Sequence, residues 1–234
     1  MPIGIITNCL AILFGGLIGT IGRKVVPERL KQNLPVVFAG CALALGITLV
    51  IEVKNLAPVV LAIIVGTAIG ELLRIEDRLH NMTVILQNRI VKGRSSIDEK
   101  AVNEFLTLLV LFSFSAGGIF GALQEGMTGD NTFLMVKSIL DLFTSLIFAT
   151  TIGIIVSALS VSTFVVYILF YLLASVLMPI VNETMAADFI GCGGILVLFI
   201  GIRMMELKEI PVANTLPSML LVMPLSWIWT QIFR

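Results

Sequence analysis

Forty-one consecutive positions, 142–182, contain no Asp, Glu, Lys, Arg or His. A single crossing of a ~30 Å hydrocarbon core takes about 20 residues, so this run predicts two crossings with a tight turn near Ser157–Ser162. The rest of the chain is built alike. Of 234 residues, 58% are hydrophobic and 13% charged, with a mean hydropathy of +1.07. A soluble domain carries about 25% charged residues. That excludes a soluble enzyme and a disordered chain. With 15 basic and 15 acidic residues no net field attracts phosphates, which excludes a nucleic-acid partner. The partner is the lipid bilayer.

Apolar runs fall at about 3–22, 35–51, 57–73, 105–123, 133–156, 161–181, 187–203 and 212–232. They predict an all-α integral membrane protein with about eight transmembrane helices. Residues 3–22 lack a preceding basic segment, and Arg23 and Lys24 follow them, so the run reads as a retained first span. With the N-terminus outside, inward segments hold 12 Lys and Arg residues and outward segments hold Lys54, Lys137 and Arg234. The positive-inside rule then places both termini outside. The polar stretch 74–103 is the long cytoplasmic loop. In it His80 reads as solvated, and Ser96-x-x-Glu99 as a capping box that starts the fourth helix.

Phe38-Ala-Gly40-Cys41 recurs as Phe189-Ile-Gly191-Cys192, and the turn Glu52-Val-Lys54…Pro58 as Glu206-Leu-Lys208…Pro211. The second and seventh spans would run in opposite directions, which makes the duplication an inverted repeat, the architecture of many secondary transporters. Repeat-like parts at about 1–79 and 160–234 would be joined by the spans within 98–159 of a single membrane domain.

Ionisable groups at membrane depth cost about 2.5–3.5 kcal/mol on insertion scales and mark functional positions. Asp141 is the clearest. Lys137 lies one turn before it, and Ser138 and Ser145 share roughly its face. Substrate or coupling-ion ligand and structural ion pair both remain open for it. Asn8, Gln124 and Asn214 add polar groups to the first, fourth and eighth spans and complete the candidate solute or ion pathway. The doublets Gly15-Gly16, Gly117-Gly118 and Gly193-Gly194 suit either close helix packing or broken helices. Glu125, Asp130, Glu183 and Asp188 read as an acidic outer surface. Cys9, Cys41 and Cys192 lie in apolar runs and form no disulfide framework. Cysteine and histidine spacings predict no metal site, and no nucleotide-binding or hydrolase motif sits on a suitable element, so neither a cofactor nor enzymatic activity is expected.

The functional expectation is a secondary transporter or permease for a small polar or charged solute, with ion coupling. The alternative is a membrane scaffold or sensor that oligomerises through Gly-rich helix faces and transports nothing. Gly-rich lipid-facing surfaces further suggest a homodimer.

Several motifs resemble one family. They are Gly4-Ile-Ile-Thr-Asn8-Cys-Leu-Ala11-Ile-Leu-Phe-Gly15-Gly16-Leu-Ile-Gly19, Gly66-Thr-Ala-Ile-Gly70-Glu71, and Gly117-Gly118-Ile-Phe-Gly121-Ala-Leu-Gln124-Glu125-Gly126 with Gly129-Asp130. Lys137-Ser138-Ile-Leu-Asp141, Gly193-Gly194-Ile-Leu and Asn214-Thr-Leu-Pro217 complete the set. Over nearly its whole length the chain resembles the bacterial membrane proteins grouped as domain of unknown function 554, the YqgA-like proteins. It departs from their pattern at Glu125, where Asp is expected, and at Asp188, where a small neutral residue is expected. The resemblance implies a bacterial inner-membrane protein of a group labelled as transporters, without an assigned substrate.

Overall fold

The computed structural model describes residues 1–23, 26–79, 81, 108–109, 112–113, 115–177, 179 and 181–233. His80, the Ser96/Glu99 capping box and most of the 74–103 loop lie outside the described residues. Among the described residues the regular structure is entirely helical. The chain runs through α1 (Ile3–Ile21), α2 (Glu28–Val50), α3 (Leu56–Leu73), α4 (Ala116–Thr128), α5 (Thr132–Ile152), α6 (Leu159–Leu177), α7 (Glu183–Met204) and α8 (Pro217–Ile232). Short 3₁₀ turns at Ile154–Ala158 and Val212–Thr215 precede α6 and α8.

Six segments are long and apolar enough to cross a membrane: Ile3–Ile21, Leu56–Leu73, Thr132–Ile152, Ile154–Ala174, Glu183–Met204 and Val212–Ile232. Two expected spans are not in that set, which covers the described residues only. The first two turns of α2 carry Glu28, Arg29, Lys31, Gln32 and Asn33, which leaves Val36–Val50 as a shorter apolar helix. Of the expected span 105–123, residues 105–107, 110–111 and 114 lie outside the described residues, and the rest is not one continuous helix. Residues 112–113 are helical, but Ser115 is extended (φ −66°, ψ 136°), and its hydroxyl accepts from Gly118 N to start α4 afresh. The turn expected near Ser157–Ser162 comes earlier, at Gly153, whose φ of +85° suits a residue without Cβ.

Glycines set the helix pairing, because lipid gives apolar helices no solvent-driven reason to associate and close backbone contact supplies the attraction. A Cβ on Gly4 would meet Leu134, one on Gly15 the Leu142 carbonyl, and one on Gly19 the Leu146 carbonyl. Helices α1 and α5 therefore lie side by side in the same direction. Gly118 against Tyr167 and Gly126 against Ala174 make α4 and α6 a second parallel pair. Gly46 on Gly194, with Gly201 on Leu43, makes α2 and α7 antiparallel, and Gly66 on Ser218, with Gly70 on Asn214, does the same for α3 and α8. Phe120 packs edge-on against Phe133 and stacks near Phe189, so one aromatic cluster joins α4, α5 and α7.

Candidate functional site

Asp141 is the tenth residue of the 21-residue helix α5. At ~1.5 Å per residue it stands near the midpoint of a helix ~30 Å long. Its Oδ2 accepts from Lys137 Nζ at 2.5 Å and from Asn8 Nδ2, on α1, at 2.8 Å. Both ionic side chains are nearly enclosed, at 13% and 10% exposure. Lys137 is therefore no loop charge, as the positive-inside count treated it, but a helix residue tied to Asp141. Asn8 is fully buried, and its own Oδ1 has no hydrogen-bond partner among the described residues. Tyr167 on α6 is fully buried, and its hydroxyl donates to the Phe112 carbonyl at 2.8 Å. The interruption at Ser115 accounts for that bond. It removes the helical partner of a carbonyl that lipid cannot satisfy, and Tyr167 takes its place.

Of the residues expected to line the pathway, Asp141, Lys137 and Asn8 form one cluster. Ser138 is on the right helix, but its hydroxyl donates to the Leu134 carbonyl at 2.6 Å. Ser145 likewise donates within its own helix, to Leu142. Gln124 belongs to the far end of α4, where its Nε2 donates to Asp130 Oδ2 at 3.0 Å while its buried Oε1 has no partner among the described residues. Asn214 belongs to another junction: its Oδ1 accepts from Glu76 N at 2.8 Å, while Glu76 Oε2 accepts from Ala213 N at 2.9 Å. Arg203 closes that junction through an ion pair with Glu76.

The doublets divide. Gly117-Gly118 lies in the first turn after a real break. Gly15-Gly16 and Gly193-Gly194 lie inside continuous helices. There they admit Ser145 and Ser157 in the first case and Phe120 and Gly46 in the second.

Two carboxylates read from sequence as an outer surface are buried. Glu125, 3% exposed, sends its carboxylate to Gly4 N (2.7 Å) and Ile5 N (3.2 Å). Helix α1 starts at Pro2 without a side-chain cap. Ile3 N and Ile6 N find the Met1 and Pro2 carbonyls, so Glu125 completes the four N–H groups that every helix start leaves open. Asp188, fully buried, fastens the turn that leads into α3. It accepts from Lys54 N (2.9 Å), Asn55 N (2.8 Å), Asn55 Nδ2 (3.2 Å) and Ser226 Oγ (2.6 Å). The charge also suits the positive end of the helix dipole. A pocket of about 500 Å³ opens beside that junction, lined by Asn55, Asn182, Glu183, Trp229 and Gln231 among others.

Apolar helices of membrane-spanning length, fastened to one another through buried carboxylates, define a polytopic membrane protein. The chain belongs to the family described as "Protein of unknown function (DUF554)", whose model matches residues 3–227. It is 38% identical over 234 residues, the whole of both chains, to "Uncharacterized protein YqgA" of Escherichia coli (strain K12). It is 28% identical over 219 residues, 93% of each chain, to "Uncharacterized membrane protein YdfK" of Bacillus subtilis (strain 168). No solved structure matches.

Proposed function

We propose that this protein is a secondary transporter for a small polar or charged solute, embedded in the bacterial inner membrane with both termini outside. The observation that carries the reading is the Lys137–Asp141–Asn8 cluster halfway along α5, beside the interrupted helix at Ser115. An ion pair at such depth is costly. Transporters place solute and ion sites where a helix is broken near the membrane centre.

Helix directions support eight crossings and an inverted repeat. A start outside makes α1 and α5 both run inward, α4 and α6 both outward, and opposes α2 to α7 and α3 to α8, as the glycine contacts require. Exchanging α1, α2 and α3 for α6, α7 and α8, and α4 for α5, returns the same four pairs. The pocket beside Asn55 and Trp229 would be an outer vestibule. A scaffold that oligomerises through glycine faces is the weaker reading, because Gly15, Gly66, Gly70, Gly118 and Gly194 are all occupied by contacts within one chain.

Proteoliposomes loaded with a mixture of small amino acids, organic acids, amines and salts test the proposal, with loss of each solute followed by mass spectrometry. One or a few solutes should leave in a protein-dependent way, at least about tenfold more slowly from Asp141→Asn vesicles, since a lost charge-assisted contact costs about 1.5–3 kcal/mol. Wild-type vesicles that retain every solute would reject transport in favour of the scaffold.

A further inference from the structure

The Lys137–Asp141 pair is neutral as a whole, and that restricts what can take its place. A cation docked on Asp141 displaces the ammonium and leaves Lys137 unpaired. An anion docked on Lys137 does the same to Asp141. Either leaves one uncompensated charge at membrane depth, worth about a hundredfold in affinity on insertion scales. A solute with both an ammonium and a carboxylate adds no net charge and gives each side chain a new partner. Groups for both of its ends are present. Asp141 takes its two bonds on Oδ2, which leaves Oδ1 open among the described residues. Asn8 Oδ1, buried and equally without a partner there, shares a carbon with the Nδ2 that lies 2.8 Å from Asp141 Oδ2. It therefore stands no more than about 5.5 Å from that carboxylate. Both oxygens are acceptors, and an ammonium carries three donors. On the other side, Gly121 packs on Phe133 and Leu134, and Gly117 on Phe133. Helices α4 and α5 are antiparallel across the loop 129–131, so the first turn of α4 stands level with the turn that holds Lys137. Ser115 takes up the amides of Gly118 and Ile119, and those of Ala116 and Gly117 precede the first bond of the helix. Such a start suits a carboxylate.

We propose that the solute is a small zwitterionic amino acid, its ammonium on Asp141 Oδ1 and Asn8 Oδ1 and its carboxylate between Lys137 and the start of α4. The inference rests on the transporter reading for what the site is for, although binding can be measured without it. Loading exchanges one ion pair for two: Lys137 leaves Asp141 for the solute carboxylate, and Asp141 takes the solute ammonium. The occupied site then joins α1, α4 and α5. In the empty protein Lys137 stands in for the solute ammonium, so the cluster is neutral with and without cargo, as a site that must change sides in both states requires. The solute is small because backbone contacts bracket the cluster. Gly4 meets Leu134 on its outer side, and Gly15 meets the Leu142 carbonyl on its inner side.

Titration calorimetry of the full-length protein in lipid nanodiscs tests this with three zwitterions (glycine, L-alanine and β-alanine) and two relatives of glycine that keep one charged end. Ethanolamine keeps the ammonium and glycolate the carboxylate. At least one zwitterion should bind, and both singly charged relatives should bind at least about tenfold more weakly. Removing one charge should then reverse the preference. Asp141→Asn leaves Lys137 alone and should favour glycolate over the zwitterions, and Lys137→Met should favour ethanolamine. Asn8→Leu, which removes the unpartnered oxygen without changing charge, should weaken the best zwitterion about tenfold. Thermal melts show which variants are folded. Wild-type protein that binds none of the five compounds, or that binds ethanolamine or glycolate as tightly as the best zwitterion, would overturn the proposal whether or not the variants fold. Folded single variants that still prefer the zwitterion would overturn it as well. The solute-loss experiment separates this inference from the transporter reading. Loss of another class of solute alone keeps transport and rejects the zwitterion, whereas zwitterion binding without any solute loss keeps the site and rejects transport.

Discussion

Asp188 and Asp141 are both carboxylates buried between helices, yet their surroundings are opposite. Asp188 accepts four hydrogen bonds, two of them from the backbone amides of Lys54 and Asn55 just before α3. Asp141 accepts two, both onto Oδ2, from a flexible ammonium and from an amide whose oxygen is itself unpartnered among the described residues. A carboxylate saturated by fixed donors is a fastening: its charge is held in place, and removing it strands the donors. A carboxylate balanced by one mobile charge can change partner or take a proton at modest cost. The difference separates structural acids from working acids in a membrane protein, where burial alone does not.

The largest effect should follow from breaking the saturated member. Asp188→Ala leaves the fully buried Ser226 hydroxyl without its acceptor, at about 1–3 kcal/mol, and adds a smaller cost for the partly buried Lys54 N and Asn55 N, besides the lost packing. The thermal midpoint in detergent should fall by about 10 °C or more, at about 2–4 °C per kcal/mol for a chain of this size. A midpoint within a few degrees of wild type would mean that Asp188 is no fastening. Next comes close packing. On Gly70, a Cβ would run into the Asn214 backbone carbonyl, so Gly70→Ala should cost about 1–3 kcal/mol. Gly40 has nothing within 4 Å of a Cβ, and Gly40→Ala should leave the melt unchanged or raise it slightly, as Ala is the better helix former. Glu125→Gln sharpens the comparison at smaller scale. The amide keeps one acceptor for Gly4 N or Ile5 N but loses the charge at the start of α1, and should cost about 1 kcal/mol.

These fastenings were hard to read in the sequence because their partners are backbone amides, which every residue carries and no motif marks. Glu125 and Asp188 therefore looked like surface loop acids. One indirect signal existed: α1 begins after Pro2, whose side chain cannot cap a helix, so a cap had to come from elsewhere in the chain. Asp141, Lys137 and Asn8 were legible because polar letters stand out in apolar runs and their partners are side chains. Ser138 looked equivalent, yet a serine at depth can satisfy itself on its own helix. The Gly-Gly doublets show the same ambiguity. Letters that loosen a helix also admit a neighbour, and at Gly193 the neighbour is Phe120. The lengths of apolar runs gave the helix positions closely, whereas the break at Ser115 turns on one extended residue inside a run whose hydropathy is continuous.

The double variant Lys137→Met/Asp141→Asn tests the central distinction most directly, because it removes the pair without leaving a lone charge at depth. Its thermal midpoint and its protein-dependent solute loss from vesicles are measured side by side with wild type. The double variant should melt within a few degrees of wild type and move solute at least about tenfold more slowly, since the lost charge-assisted contacts served the solute or its coupling ion rather than the fold. A double variant that melts far below wild type would make the pair a second fastening like Asp188. One that stays stable and moves solute at the wild-type rate would remove Asp141 from the mechanism.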